Sequence, residues 1–546
     1  MPVQVSYPGV YIEELPSGVH PITGVATSIT AFVGLANSGP VNTPTTVNNF
    51  GDYDRIFGGL WARSTMSFAV NDFFANGGAQ AIIVRLVATD ATAAGFELPA
   101  AATVSLPEDL TASPPSNLSS TFTSLELQAA DVGSWGDYVN VVIDQKTKNP
   151  ADPTLFNLTT TQMNPTLTQV LASEKYLNLS VDPASANYVA VVLAQNSALL
   201  AVQQDSTTGD YIVPSVRPAP TLGGSPLTAT KIYLAGGADG SDLTAWDFVG
   251  TDQGSKEGLY ALEYAELFNL LCIPPYTNSY RDVDTSVVGM AATYCELRRA
   301  FYIIDPPSAW TNLTNALKQF TDPNTDWIGT RSDHAAIYFP RVVEQNLLTG
   351  NTGTFVPCGV IAGIYAATDA QRGVWKAPAG QETNLANVMQ LAVSLTDAEN
   401  GELNPLGLNC LRSFPVTGRV VWGARTLQGA DELASQWKYI PVRRTALFIE
   451  QSLYQGTQWV VFEPNDETLW SSIRLNVGSF MQGLFRQGAF FGSSASQAYF
   501  VKCDSETTTQ ADIDNGIVNI VVGFAPLQPA EFVVIQIQQM AGQLQA

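Results

Sequence analysis

Two histidines and five cysteines are the only side chains of their kinds in 546 residues, and neither set is spaced for chemistry. His20 and His334 stand far apart; His20 is expected to be solvated, and His334, beside Asp333, to be a packed or surface histidine. Cys272, Cys295, Cys358, Cys410 and Cys503 form no CxxC and no Cys/His pair, so no zinc site is expected. Their odd number and wide spacing exclude a disulfide framework, and thiols in apolar runs read as small core residues of a protein made in a reducing cytoplasm. Asp305, in FYIIDPP (301–307), is the one candidate acid. It stands beyond the carboxyl end of a strand, where an open parallel sheet binds ligands. Without a second acid, a histidine or a metal it reads first as structural, with an α/β enzyme as the different-class alternative.

Two glycine-rich stretches also fail as chemistry. LAGGADGSDL (234–243) lacks the Gly-Lys-Ser/Thr of a P-loop, and Asp239 stands where a calcium β-roll repeat needs its third glycine. GSWGD (133–137) lacks the GxSxG of a nucleophile elbow. No catalytic residue, cofactor or metal is therefore expected. Four arginines remain. Arg443 and Arg444 begin one C-terminal helix, while Arg474 and Arg486 lie off the apolar stripe of the next. They form either a patch for an acidic protein partner or a solvated helix face. Against 26 Lys+Arg stand 49 Asp+Glu, a formal charge of −23, which opposes nucleic-acid binding and keeps a concentrated protein soluble.

The elements that would position these residues are α/β. Apolar residues make up 45% and charged residues 14%, as in a packed globular chain with several cores. TSITAFVG, a helix at about 64–76 and AIIVRLV make a β-α-β start. Residues 91–230 turn Ser/Thr/Ala/Pro/Asn-rich, with short runs such as YVNVVID and YVAVVLA read as strands, and form an inserted, mostly β outer module. Strands and helices then alternate to about 400, so 25–90 and 231–400 make one α/β core with a largely parallel sheet. Residues 401–546 form an α+β domain, with helices at about 442–454 and after Asn465-Asp466, then three strand candidates: AYFVKCD, IVNIVVGF and EFVVIQIQQ.

Both ends are apolar, extended arms, 1–24 and about 530–546. Unpaired strands of this kind aggregate unless they find an edge, within the subunit or on a neighbour. The N-terminus, MPVQVSYPGV, has no signal-peptide pattern, and no run of about 20 apolar residues spans a membrane.

The chain resembles the contractile tail sheath proteins of phages and of phage-tail-like injection machines over nearly its full length. YPGVYIEE, SGVHPITGVATSITAFVG, FGGL and AVNDFFANGGAQAIIVRLV carry the resemblance early, and GSWGDYVNVVI and LAGGADG carry it in the middle. It is strongest in RVVWGARTL, YIPVRRTALFIEQSLYQGTQWVVFEPNDETLW, FVKCD, TTTQADIDNG and VVGFAPLQPAEFV. The resemblance implies hexameric rings stacked in a helical sleeve around an inner tube, with baseplate, tail-end cap and paralogous sheath proteins as further partners. The sleeve assembles strained and contracts on a trigger, driving the tube through a target envelope without nucleotide. It implies linking strands at 10–14, with Val10, Tyr11, Ile12 and Glu13, and at 532–538, with Phe532, Val533, Ile535 and Ile537. The C-terminal domain would lie innermost, with Arg443, Arg444, Arg474 and Arg486 facing the tube. Assembly in the bacterial cytoplasm is expected, then release or anchoring as part of a particle or virion tail. The N-terminal wording is closest to the toxin-injection group; a bacteriocin or a phage virion is the alternative, and a single chain argues against type VI secretion.

Overall fold

The computed structural model describes residues 20–89, 100–116, 118, 120–221, 231–250, 253–276 and 282–536. The expected linking strand at 10–14 and Ile537 lie outside them. The centre is an eight-stranded sheet in the order Gly418–Val421, Asn409–Phe414, Ala335–Phe339, Phe301–Ile304, Leu270–Cys272, Thr30–Leu35, Ala81–Leu86, Thr45–Val47. The six inner strands are parallel, and each outermost strand is antiparallel to its neighbour. TAFVGL and AIIVRL are buried at every position, as strands covered on both faces must be.

One core lies on each face. Val287 and Ala291 of helix Thr285–Arg298 and Ala316 and Phe320 of helix Leu313–Phe320 fill the first. Helices Thr65–Ala75 and Cys358–Arg372 fill the second. These two touch closely: a Cβ on Gly359 would stand 2.0 Å from the Ala69 carbonyl oxygen, and one on Gly363 2.6 Å from that of Phe73. Glycines four residues apart on one helix face permit that approach.

Residues 100–233 carry a core of their own between a four-stranded and a three-stranded sheet, with Val104, Leu127, Val141 and Phe156 at its centre. Strands Thr103–Pro107 and Ser124–Ala129 alternate exposed or half-buried with buried residues. YVAVVLA is the exception to its expected form: it lies in a helix, Val189–Asn196, that buries Val189, Ala190 and Leu193 and leaves Val191 exposed. A short apolar run has no period to separate strand from helix, and burial along one helical face decides it here.

In the C-terminal part, helices Ile440–Gly456 and Glu467–Arg486 share a core of Ile449, Leu469, Ile473, Val477, Phe480 and Leu484. Asp466 caps the second, accepting from the Leu469 N–H at 2.9 Å. Tyr499–Lys502 and Val521–Phe524 pair as a two-stranded antiparallel sheet. The third expected strand differs: its described residues, 531–536, pair with no strand among the described residues. Among the described residues no helix is long and apolar enough to cross a membrane.

Candidate assembly interface

The structure corrects two of the four expected surface arginines. Ile440 to Leu447 are all buried, because the first two turns of their helix wedge between the central sheet and the C-terminal core. Arg444 binds Asp369 through two hydrogen bonds, 3.0 and 2.6 Å, and donates to the Thr27 carbonyl at 2.9 Å. Arg443 donates to His334 Nε2 at 3.1 Å and stacks over Trp437 at 4.6 Å. Burial and the Arg443 charge both hold His334 below its ordinary pKa. The neutral ring then accepts at Nε2 and donates from Nδ1 to the Ala300 carbonyl, 3.1 Å away. These arginines bolt the helix to the sheet. Arg474 is half-buried and paired with Glu467 at 2.6 Å, and Arg486 is exposed in the last turn of its helix.

Asp305 also has an internal task. Its Oδ1 accepts from the Cys358 N–H at 2.8 Å, at the start of helix Cys358–Arg372. Burial pushes its carboxyl up to about 7, against the opposing pull of this helix terminus and of Arg341. The strand order reverses between Thr30–Leu35 and Leu270–Cys272, where such sheets bind ligands. There Ser64 donates to the Leu35 carbonyl at 2.5 Å and Thr65 to the Pro275 carbonyl, so the next helix begins in the crevice. Among the described residues no three His, Cys, Asp or Glu side chains converge on a metal position.

The termini are held differently. Arg425, its side chain 1% exposed, donates to both carboxylate oxygens of Glu531 at 2.8 and 2.6 Å, and Tyr439 adds a third bond at 3.2 Å. A bidentate pair of this kind fixes both position and direction. The next four residues, Phe532, Val533, Val534 and Ile535, are 75%, 80%, 81% and 79% exposed. Among the described residues nothing covers these four consecutive apolar side chains, which are rooted by a buried ion pair.

At the other end, residues 20–29 strap the same C-terminal body. The His20 N–H donates to Asn476 at 3.1 Å, and its ring, expected to be solvated, stacks on Trp459 at 4.2 Å with its outer side exposed. Val25 donates to Ser452 at 3.2 Å, and Gly456 lies so close to Ile22 that a Cβ would stand 2.6 Å from it.

Nearby is a surface short of strands. In the sheet of Tyr499–Lys502 and Val521–Phe524, Val501 and Val522 pack inward, while Phe500 and Val521 are 51% and 44% exposed. Among the described residues no third strand pairs with either edge. A two-stranded sheet is marginal alone and gains from added strands. Val461 is 58% exposed, and Phe462 is wholly exposed with φ at 71°, a left-handed conformation costly for an aromatic residue. Sequence reasoning missed this turn; its only signal is two bulky apolar residues just before Glu463-Pro464.

Residues 236–427 match the phage tail sheath protein central domain and 432–540 the phage tail sheath C-terminal domain, together more than half of the chain. A tail sheath protein of Burkholderia phage BcepMu is 26% identical over 269 residues, covering 47% of this chain and 55% of the relative. The chain thus spans about half the length of that curated relative. The contracted sheath of PVC, an extracellular contractile injection system, has a TM-score of 0.55 at 20% identity, over 98% of both chains. The contracted helical sheath of the anti-feeding prophage has a TM-score of 0.53 at 22% identity, over 98% of this chain and 99% of the other.

Proposed function

The chain belongs to the phage tail sheath family, and from that premise we propose that it is the structural subunit of a contractile sleeve. Subunits stack as hexameric rings around an inner tube, and contraction of the sleeve drives the tube through a target cell envelope. The observation that carries this reading is the tail, four exposed apolar residues rooted by the Arg425–Glu531 pair.

In a polymer the tail adds as a strand to an open edge of a neighbour's Tyr499–Lys502/Val521–Phe524 sheet. Each main-chain bond contributes roughly 0.5–1.5 kcal/mol, and several together hold neighbours while the bodies rotate about the roots. Segment 10–14, with Val10, Tyr11, Ile12 and Glu13, serves as the second link. The work comes from strain stored at assembly, with no catalytic role for Asp305. Phe462 and Val461 form a contact made only between subunits or with the tube, and Arg486 takes the tube-facing role.

Of the machines that use such a sleeve, an injection particle is favoured over a phage virion. Its support is the wording of PSGVHPITGVATSITAFVG, which is closest to the toxin-injection group.

The test is negative-stain electron microscopy of the purified chain and of a form lacking 532–546. The full chain gives hollow striated sleeves; the shortened one gives folded particles that do not polymerise. Compact discrete oligomers of the full chain under every condition would overturn the sheath reading. Sleeves from the shortened chain would remove the tail's linking role alone.

A further inference from the structure

His334 is 5% exposed and stands immediately before strand Ala335–Phe339 of the central sheet. Its carbonyl accepts from the Tyr302 N–H at 2.7 Å, and its own N–H donates to Ser332 Oγ at 3.1 Å, so the residue is fixed to the sheet. Arg443, also buried, reaches it from the first turn of helix Ile440–Gly456. Nε of Arg443, at 3.1 Å, and its Nη2 both approach Nε2 of the ring. Nδ1 is engaged with the Ala300 carbonyl on the other side. A neutral imidazole held this way has one free electron pair, and a guanidinium occupies it.

Other charges surround the joint. Asp333 and Glu450 stand 3.7 and 3.6 Å from the Arg443 guanidinium, and Glu296 accepts from Ser332 Oγ at 2.6 Å. Arg299 donates to Gln451 at 3.3 Å and lies over Tyr454, and Arg298 stands 3.7 Å from Glu263. Arg331 donates to the Phe320 carbonyl at 2.8 Å, Arg444 binds Asp369, and Lys438 binds Asp431. On the neighbouring strand and helix, burial holds Tyr302 and Cys295 neutral. Among the described residues the ring's own hydrogen bonds are those to Arg443 and Ala300, so no carboxylate binds it. A proton at Nε2 must displace the Arg443 donor, and it sets two cations against each other in a buried place.

We propose that His334 and Arg443 form an acid-release joint: proton uptake by His334 breaks its bond to Arg443 and loosens the first two turns of helix Ile440–Gly456 from the central sheet. The folded chain holds the ring proton more weakly than the unfolded chain, where a histidine titrates at about 6.5. The joint is therefore fully made above about 6.5, and its stability is lost as pH falls below that value. It acts within the single chain and does not depend on the sleeve.

Hydrogen–deuterium exchange of the unpolymerised full chain tests this, with rates corrected for intrinsic chemistry. Strand Val139–Asp144, in the separate module core, serves as the internal control. Between about pH 7.5 and about pH 5.5, protection of 440–447 falls at least about threefold more than that of the control, within a ceiling of one decade per pH unit. His334→Gln offers Arg443 an oxygen and Ala300 an N–H but takes no proton, so its 440–447 profile follows the control. His334→Lys fixes the positive charge, and its protection is low at both pH values. A wild-type profile that follows the control, or a fall that His334→Gln reproduces, overturns the joint. Should His334→Gln fail to fold, the wild-type profile decides alone, and a fall complete above about pH 7 overturns it equally.

Discussion

Arg444 and Asp369 have side chains only 3% and 4% exposed, and each leaves the other a bare buried charge if it is removed. Breaking such a pair from one side costs about 3–5 kcal/mol, far above the few tenths that an exposed charge contributes. Arg444→Ala is therefore expected to lower the urea midpoint markedly, while Arg486→Glu leaves it within about 0.5 kcal/mol of the parent. Equal effects at the two sites would mean that Arg444 is not the bolt it looks to be. In the sequence these arginines looked alike, since charge and helical spacing show only that a residue is off the apolar stripe. Burial of Arg443 and Arg444 depends on Asp369, His334 and Thr27, none of them near in the chain. Asp305 was more legible, because a lone carboxylate after a strand has few other uses, though its helix partner at Cys358 lies 53 residues on.

Elements follow local pattern where one face is buried and escape it where the partner is absent. EFVVIQIQQ has the alternation of a strand, yet its described part joins no strand among the described residues, since alternation specifies a conformation and not the edge that completes it. The inner strands of the central sheet were legible because runs such as AIIVRL and FYII suit burial on both faces. Helix Val189–Asn196 was not, because eight residues barely separate the two periods. For the tail, the double change Val533→Pro/Val534→Pro removes the N–H at two adjacent positions. Successive N–H groups point to opposite sides of a strand, so one lost donor faces the partner whichever register is used. The monomer's circular dichroism and unfolding are expected to be unchanged, since these residues touch no core, while polymer in a sedimentation assay falls at least tenfold. Unimpaired pelleting would show that the tail links subunits through side chains alone, or not at all.

At the scale of the whole molecule, the inserted module joins the core where its two chain ends lie side by side. Ala100 and Ala238 exchange both main-chain hydrogen bonds at 2.9 Å, so the chain leaves and re-enters side by side. Arg85, buried on the central sheet, spans the joint: it donates to the carbonyls of Ala36 and Gly39 on the core side and of Val132 on the module side. Ser134 and Gly237 add bonds to Asp239 and Asp137 across the same joint. The module's core of Val104, Leu127, Val141 and Phe156 shares no residue with the central ones, and the tail roots on Arg425, outside the module. Replacing 101–237 by a short Gly-Ser link should therefore keep the rest folded, because the ends to be joined are already adjacent. Arg85 keeps its carbonyl partners Ala36, Asn37 and Gly39, and the loss of Val132 costs about 1–3 kcal/mol. Electron microscopy of the shortened chain is expected to show sleeves of the same striation but smaller outer diameter. Folded monomers that form no sleeve would place ring contacts in the module. The arms would then be insufficient to hold the polymer.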